Sequence, residues 1–288
     1  MTAHAPDASR DRRIEDRTNL WFIHPSCRFL LPWFISRGIS ANAVSICGLS
    51  LGALAALAYW RWYLWPFAFL GLLLSIAWLV ADGLDGMIAR ATGTTSALGR
   101  FLDGLCDHGV FVLIYGALAA SIGTAEAWIL AGCAGAFHAL QSSLYEGERA
   151  RFHRRCKGVA IATPPPGRNR LVRLYDGVSS LIDTVGIRFD EMLSRDPDPA
   201  RFGAAYGDRA AKPLRLMSLL SANVRLYAIF LACIAGDPRL YWWFVLLPLN
   251  AILLAGLYWH RAVEWRLIRN IGSGSPSSTI SPFTYPGT

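Results

Sequence analysis

The sequence predicts an all-α integral membrane protein with six transmembrane helices, preceded by an amphipathic helix at the membrane surface. Two observations carry this prediction: the apolar residues are gathered in long uncharged runs, and the arginines are concentrated between alternate runs. Of the 288 residues, 53% are hydrophobic and only 17% are charged. This distribution favours lipid over a soluble core as the environment of the apolar residues.

The N-terminal residues 1–41 are predicted to lie in the cytoplasm and to end in an interfacial helix. Segment 21–37 mixes aromatic residues with His24, Arg28 and Arg37, so it is too short and too polar to cross a membrane. Such a composition is typical of a helix that lies in the plane of the bilayer surface.

Residues 42–272 are predicted to form a domain of six membrane-spanning helices, because a span needs about 20 mostly apolar residues. The apolar runs are 43–60, 62–81, 109–125, 127–145, 216–235 and 240–259. Residues 146–215 are then a cytoplasmic insertion between the fourth and fifth spans. The tail 273–288 is rich in Ser, Gly, Pro and Thr, and we predict that it is disordered.

The placement of the charges predicts the orientation of the chain. Arginines precede the first span and follow the fourth and the sixth, whereas the alternate loops hold few. This positive-inside pattern places both termini in the cytoplasm, and in a bacterium the membrane would be the plasma membrane. It also accounts for the net charge of +8 without nucleic acid, which we do not expect as a partner.

Four carboxylates lie at the cytoplasmic ends of the second and third predicted spans. Asp82 and Asp85 are three residues apart, and Asp103 and Asp107 four, so each pair shares one face of its helix. Close anions at a membrane boundary need compensating cations, and Mg²⁺ is usually held by a few carboxylates together with substrate phosphates. Two such ions can clamp a pyrophosphate during displacement, which predicts phosphoryl-type transfer.

Small residues and a cation accompany these carboxylates. Gly86 and Gly99 carry no side chain where a ligand would approach the backbone, and Ala89 keeps the helix surface low. Arg90 supplies a permanent positive charge with a planar donor fork suited to phosphate.

The joint order of these residues is D-x2-D-G-x2-A-R-x8-G-x3-D-x3-D, from Asp82 to Asp107. It resembles the signature of the CDP-alcohol phosphotransferase family, which makes phospholipids in membranes. The resemblance implies a homodimer with two divalent metal ions, Mg²⁺ or Mn²⁺, and an active site facing the cytoplasm. The implied roles are metal binding for Asp82, Asp85 and Asp103, the base for Asp107, which also lies at the metal site, and nucleotide binding for Gly86, Ala89, Arg90 and Gly99.

Many family members also carry a Pro-Asn-x-x-Thr element before the first span. Here Asn42 keeps the asparagine, but Ala41 stands where the proline would be. The resemblance therefore implies a contact between Asn42 and the donor.

The implied reaction moves a phosphatidyl group from a CDP-linked lipid, CDP-diacylglycerol in short six-span members, to the hydroxyl of a small polar acceptor, with release of CMP. An alternative is a CDP-amino-alcohol donor with diacylglycerol as acceptor. A second class of function is a non-catalytic transporter or scaffold. Transporters place their ion sites near the midplane, whereas these carboxylates lie at the membrane edge, which favours the enzyme.

Candidate acceptor-binding residues lie in the fourth and fifth predicted spans. His138 and Gln141 form a polar stripe leading to Arg149, and the stripe is compatible either with an acceptor pocket or with hydrogen bonds between helices. Arg225 lies within the fifth span, where an unpaired charge is costly. It is expected either to bind a substrate phosphate, which predicts an anionic acceptor, or to pair with Asn223 or Asn250.

Overall fold

The computed structural model describes residues 11–94, 97–160 and 186–272, with side chains for all of these except 97–107 and 270–272. Every regular element in these ranges is a helix, which confirms the predicted all-α class. The chain forms two compact units: the first comprises the residues up to Ala150 together with Lys212–Gly256, and the second comprises Arg151–Ala211 and the residues from Leu257 onward. The predicted tail 273–288 lies outside the described residues.

Five helices cover the N-terminal half. A π-helical turn, Asn19–Ile23, leads into the first of them. The helices are α1 (His24–Ser36), α2 (Ala41–Trp60), α3 (Trp65–Thr92), α4 (Ala97–Ile122) and α5 (Ala125–Cys156).

The C-terminal half is more interrupted. The helices are α6 (residues 186–195), α7 (Pro199–Met217), α8 (Ala222–Ile234), α9 (Arg239–Phe244) and α10 (Asn250–Gly272). A 3-10 turn, Ser218–Leu220, follows α7, and a π-helical turn, Val245–Leu249, connects α9 to α10.

Small residues set the packing of α2 against α3 and α4. A Cβ on Gly48 would lie 3.3 Å from the Cβ of Ala81 on α3, and a Cβ on Gly52 would lie 2.2 Å from Val110 Cγ2 on α4. The backbones can approach this closely only because both positions are glycine. This close packing holds the start of α2 beside the polar end of α3.

Three described helices are long and apolar enough to cross a membrane: Ala41–Trp60, Trp65–Thr92 and Arg239–Arg269. The number rises to four if the interrupted pair Pro199–Leu220 and Ala222–Ile234 is one span. His108–Ile122 is a shorter apolar helix. These helices support an integral membrane protein, whereas six spans, the domain boundaries and the membrane orientation stay predictions.

The predicted interfacial segment is helical in the structure, as a π-helical turn followed by α1. It exposes Trp21, Phe29 and Trp33, and it buries His24 and Cys27. Cys27 Sγ lies 3.3 Å from the carbonyl oxygen of Val80, so α1 packs on α3. Whether this helix lies at a membrane surface stays a prediction.

The second unit is built around a buried ionic cluster. Arg155 is fully buried; its Nε donates to Asp190 Oδ1 at 2.7 Å and its Nη1 to Glu264 Oε1. Its guanidinium also lies 4.8 Å from the ring centre of Phe189. The recurrence of Asp176, Asp183 and Asp190 every seven residues indicates a solvated face. For Asp190 this interpretation is wrong, because its carboxylate binds a buried arginine; the other two lie outside the described residues.

Candidate active site

The candidate site is centred on the C-terminal part of α3, where the helix continues past the apolar run. Asp85 is buried, and Ser45 of α2 donates a hydrogen bond from Oγ to its Oδ2 at 2.5 Å. Asp82 is one turn earlier and partly exposed. The predicted placement of both carboxylates on one helical face follows from their position in a continuous helix.

Ser45 did not figure among the predicted site residues, although a sequence signal for it exists. It stands three residues after Asn42, at the position of the threonine in Pro-Asn-x-x-Thr. Its hydroxyl fixes the orientation of a carboxylate 40 residues away in the chain. A partner that orients a buried carboxylate in this way is typical of the residues that support a metal ligand.

Asp103 and Asp107 both lie in α4, four residues apart, so the backbone places them on one face of that helix. Their side chains lie outside those that the structure describes, as do the surroundings of Gly99. Among the described side chains, no group of three or more His, Cys, Asp or Glu residues is arranged to hold a metal ion. The two described carboxylates do carry the oxygen donors that Mg²⁺ and Mn²⁺ prefer, so this half of the predicted set fits a hard divalent cation.

Gly86 lies one helical turn before Arg90, and the Arg90 guanidinium lies over it. A Cβ on Gly86 would be 3.3 Å from Arg90 Nη1, which is tighter than an ordinary contact. Because Gly86 has no side chain, the Arg90 guanidinium can lie along the helix beside Gly86. The small side chain of Ala89 leaves the adjacent helix surface open. Gly83 has a different role: a Cβ there would meet Cys27 Sγ at 3.0 Å, so its small size serves the packing of α1.

A cavity of about 270 Å³ opens where α1, the start of α2 and the end of α3 meet. Asn42 lines it, together with Ser40, Thr92 and Thr94. Ser40 caps α2 by accepting the Ala43 N–H at 3.3 Å, and Gly93 ends α3 with a φ of 66°. These two helix ends turn hydroxyl and amide groups toward one space beside the motif.

A second cavity, of about 320 Å³, lies against α5, and we call it the α5 cavity. Its described lining combines aromatic, imidazole, hydroxyl and carboxylate groups: Trp78, His108, Phe111, His138, Ser142, Ser143, Tyr145, Glu146, Leu220, Ser221 and Ala222. His108 directly follows Asp107 in α4, so a residue that lines this cavity is the sequence neighbour of the predicted base.

The four candidate acceptor residues occupy different places. His138 lines the α5 cavity and contacts Tyr115, whose hydroxyl lies 3.0 Å from His138 Nδ1. Gln141 and Arg225 are buried behind the lining, and Arg225 Nη2 donates to Gln141 Oε1 at 2.8 Å. Gln141 in turn donates to Asn250 Oδ1 at 2.8 Å. Arg225 therefore pairs with Gln141 and not with Asn250 as expected; Asn250 binds the other end of the same Gln141 amide.

Arg149 lies near the α5 cavity and is held by two carboxylates. Its Nη1 donates to Glu146 at 2.8 Å, and its Nη2 donates to Glu15 at 3.2 Å. Burial lowers the pKa of Arg149, but Glu146, Tyr145 and Glu15 together raise it by more than burial lowers it. The net shift is therefore upward, and the guanidinium keeps its charge. Glu15 is buried, and no sequence pattern singles it out because its partner is 134 residues away.

Asp16 attaches the same N-terminal segment to the start of α8. Its carboxylate accepts hydrogen bonds from Asn223 at 3.0 Å and from Ser221 at 3.3 Å. Asn223, which the sequence offered as a partner for Arg225, therefore binds Asp16 instead.

Comparison with known proteins gives one match. Residues 39–145 match the sequence model of the CDP-alcohol phosphatidyltransferase family. No curated protein and no solved structure matches the chain significantly. The match spans α2, α3, α4 and part of α5, and it contains Asn42, Ser45 and the whole segment from Asp82 to Asp107. The resemblance seen in the motif is thus confirmed over residues 39–145, which match the model of the CDP-alcohol phosphatidyltransferase family.

Proposed function

We propose that this protein transfers a phosphatidyl group from CDP-diacylglycerol to the hydroxyl of a small polar acceptor and releases CMP. The observation that carries the proposal is the complete eight-position motif from Asp82 to Asp107, inside the segment that matches the family. The hydrogen bond from Ser45 to Asp85 adds a second reason, because it orients a motif carboxylate within the bundle.

The proposed cofactors are two divalent cations, Mg²⁺ or Mn²⁺, held by Asp82, Asp85 and Asp103, with Asp107 beside them. Bound there, the ions would neutralise the pyrophosphate and the charge that develops on the leaving phosphate. Gly86, Ala89, Arg90 and Gly99 would hold the phosphates and ribose of the donor. Asn42 and the cavity it lines are the proposed position of the donor nucleotide.

The proposed chemistry is a single displacement at the β-phosphate of the donor. Asp107 takes the proton of the acceptor hydroxyl as the acceptor oxygen forms a bond to the β-phosphorus. The bond between that phosphorus and the CMP oxygen breaks, and CMP leaves. Holding the hydroxyl close to both groups supplies much of the rate, since it makes the reaction effectively intramolecular.

The acceptor is proposed to bind in the α5 cavity, which His108 connects in sequence to Asp107. His138 forms part of its wall, Gln141 and Arg225 support that wall from behind, and Arg149 lies at its rim. We also propose that the protein is a homodimer with this cavity open to the cytoplasmic side, as the positive-inside pattern predicts.

The function is tested by release of CMP from CDP-diacylglycerol in the presence of a polyol and Mg²⁺, using purified protein. Asp82→Asn, Asp85→Asn and Asp103→Asn should each abolish release in a protein that still folds, and EDTA should do the same. Glu126→Gln, which replaces an exposed carboxylate at the start of α5, is the matched control and should keep full activity. Wild-type turnover in EDTA would contradict the metal site.

The base assignment has its own test. Asp107→Asn should lower turnover by about 10²–10⁴-fold, the usual contribution of a general base, with a smaller effect on the affinity for the CDP donor. An equal loss of donor affinity would make Asp107 chiefly a metal ligand.

The orientation is tested by labelling with an impermeant thiol reagent on intact cells. In a background without native cysteines, a cysteine at Thr124 should react from outside, whereas a cysteine at Ser194 should not. The opposite labelling would place the site on the other side of the membrane.

A further inference from the structure

Three carboxylates near the α5 cavity lie outside the residues that match the family model. Glu15 and Asp16 come from the N-terminal segment, outside residues 39–145. Glu15 binds Arg149, and Asp16 binds Ser221, which itself lines the cavity. Glu146 lines the cavity and is the second partner of Arg149. Of these three carboxylates, Glu146 is in the described lining of the cavity, whereas Glu15 is buried and also lies 3.4 Å from His24 Nε2.

The arginines that led us to expect an anionic acceptor are already engaged. Both outer nitrogens of Arg149 donate to carboxylates. Arg225 donates through Nε to the carbonyl oxygen of Leu220 at 3.2 Å and through Nη2 to Gln141. Arg225 is completely buried and is not part of the described cavity lining. A phosphate in the cavity would have to displace one of these contacts to reach a guanidinium.

The cavity wall offers neutral groups suited to hydroxyls. The described lining residues contribute the hydroxyls of Ser142, Ser143 and Ser221 and the imidazoles of His108 and His138, and none of them is a lysine or an arginine. A desolvated phosphate needs charge-assisted donors, whereas a polyol hydroxyl is satisfied by neutral donors and acceptors. Arg12 and Arg17 lie in the same N-terminal segment but are exposed, so solvent and salt screen their charge.

We propose that Glu15 and Glu146, by holding Arg149, make the α5 cavity selective for an acceptor alcohol that carries no phosphate, such as a free polyol. The inference rests on the proposed function and goes further, because it assigns acceptor selectivity to residues outside the catalytic motif. A phosphorylated acceptor would meet the carboxylate of Glu146 and no lysine or arginine among the described lining residues, and like charges brought together at a binding surface are strongly unfavourable.

The experiment compares myo-inositol with myo-inositol 1-phosphate, and glycerol with glycerol 3-phosphate, as acceptors for CDP-diacylglycerol. The readout is kcat/KM for CMP release. The wild type should prefer each parent alcohol by about tenfold or more, and the preference should fall as ionic strength rises, because rim charges are screened by salt.

Two variants test the residues. Glu146 is 61% exposed, so Glu146→Gln should fold normally and should narrow the preference by about threefold; adding Glu15→Gln should narrow it by about tenfold, as expected for a partly screened like-charge effect. The gain should come from a lower KM for the phosphorylated acceptor. Glu126→Gln, whose carboxylate is also paired with an arginine, is the control and should keep the wild-type preference.

The possible failures are distinct. A wild-type preference for the phosphorylated acceptors would overturn the proposed selectivity and leave the transferase function standing. A preference for parent alcohols that neither Glu146→Gln nor the double variant changes would overturn the role of these carboxylates. No CMP release with any acceptor would overturn the proposed function itself.

Discussion

Each of the two units buries an arginine completely, and the two arginines are stabilised in different ways. In the second unit, Arg155 donates to the carboxylates of Asp190 and Glu264 and to the carbonyl oxygen of Gly186. In the first unit, Arg225 donates to neutral oxygens, those of Leu220 and Gln141, and no ion pair between described residues includes it.

The comparison separates a charge that carboxylates compensate from one that no described carboxylate compensates. Burial lowers the pKa of Arg155, but Glu264 and Asp190 more than offset it and raise the pKa above its ordinary value. A fully paired ion cluster of this kind is difficult to open once formed. A buried cation without a counter-ion costs stability, and such residues usually mark a functional region. The second unit therefore uses its arginine to hold its helices together, whereas the arginine of the first unit lies near the cavity proposed for the acceptor.

The largest effect on stability is expected from breaking the compensated cluster. Arg155→Met removes the fully buried partner of Asp190 and Glu264, which should cost about 3–5 kcal/mol even though Arg154 and Arg261 still contact these carboxylates. Thermal unfolding of the purified protein in detergent measures the loss. Adding Glu264→Gln and Asp190→Asn to Arg155→Met should recover part of it, since the stranded charges are removed. A triple variant no more stable than Arg155→Met would contradict the ionic account.

The next effect comes from glycines at close contacts, where the two units again differ. Gly203→Ala in the second unit would bring a Cβ to 2.3 Å from the carbonyl oxygen of Arg155, and Gly52→Ala in the first would meet only the side chain of Val110. Each should destabilise by about 1–3 kcal/mol, with Gly203→Ala the worse because backbone must move.

Matched controls for the glycine variants exist in α4 and α5. Gly116 and Gly132 have nothing within 4 Å of an added Cβ. Alanine there should leave the unfolding temperature unchanged or raise it slightly, because alanine favours helix more than glycine. Equal losses at all four positions would mean that helix geometry, not close contact, sets the cost.

The smallest effect on stability is expected at Arg225. Arg225→Met removes donors from two neutral oxygens but also removes a buried charge, so the terms oppose each other and the net change should stay within about 1–2 kcal/mol. The acceptor KM should rise in the same variant, because Arg225 positions Gln141 behind the cavity wall. A loss of stability as large as that of Arg155→Met would erase the distinction between the two arginines.

Apolar runs predicted where most helices lie but not where they end. The run of the second predicted span stops at Ala81, whereas α3 continues to Thr92. An apolar run marks the part of a helix that is suited to lipid, not the whole helix. The residues from Asp82 to Arg90 remain helical although several of them are polar or charged. The predicted span 216–235 likewise gave no sign of the break at Ser221, because serine and alanine occur both in helices and in turns.

The site was predictable where its residues are close in sequence and not where they are distant. The order from Asp82 to Asp107 identified the family, because the motif occupies two consecutive helices. The contacts of Glu15 with Arg149 and of Arg155 with Glu264 join residues more than 100 positions apart. The positive-inside pattern explained why these arginines are present, but it contained no information on which carboxylates they bind.

The helix break at Ser221 and the buried Arg225 each supply a hydrogen-bonding group that the other needs. Where a helix is interrupted inside a bilayer, its freed carbonyl oxygens have no water to bind and must find a donor within the protein. Leu220, the last residue before the break, offers its carbonyl to Arg225 Nε. The guanidinium of Arg225 thus donates to the carbonyl oxygen of Leu220 in place of a backbone N–H. The same carbonyl dipole stabilises the buried positive charge of Arg225. If Pro199–Leu220 and Ala222–Ile234 form one membrane span, loss of either feature would leave the other with an unsatisfied polar group.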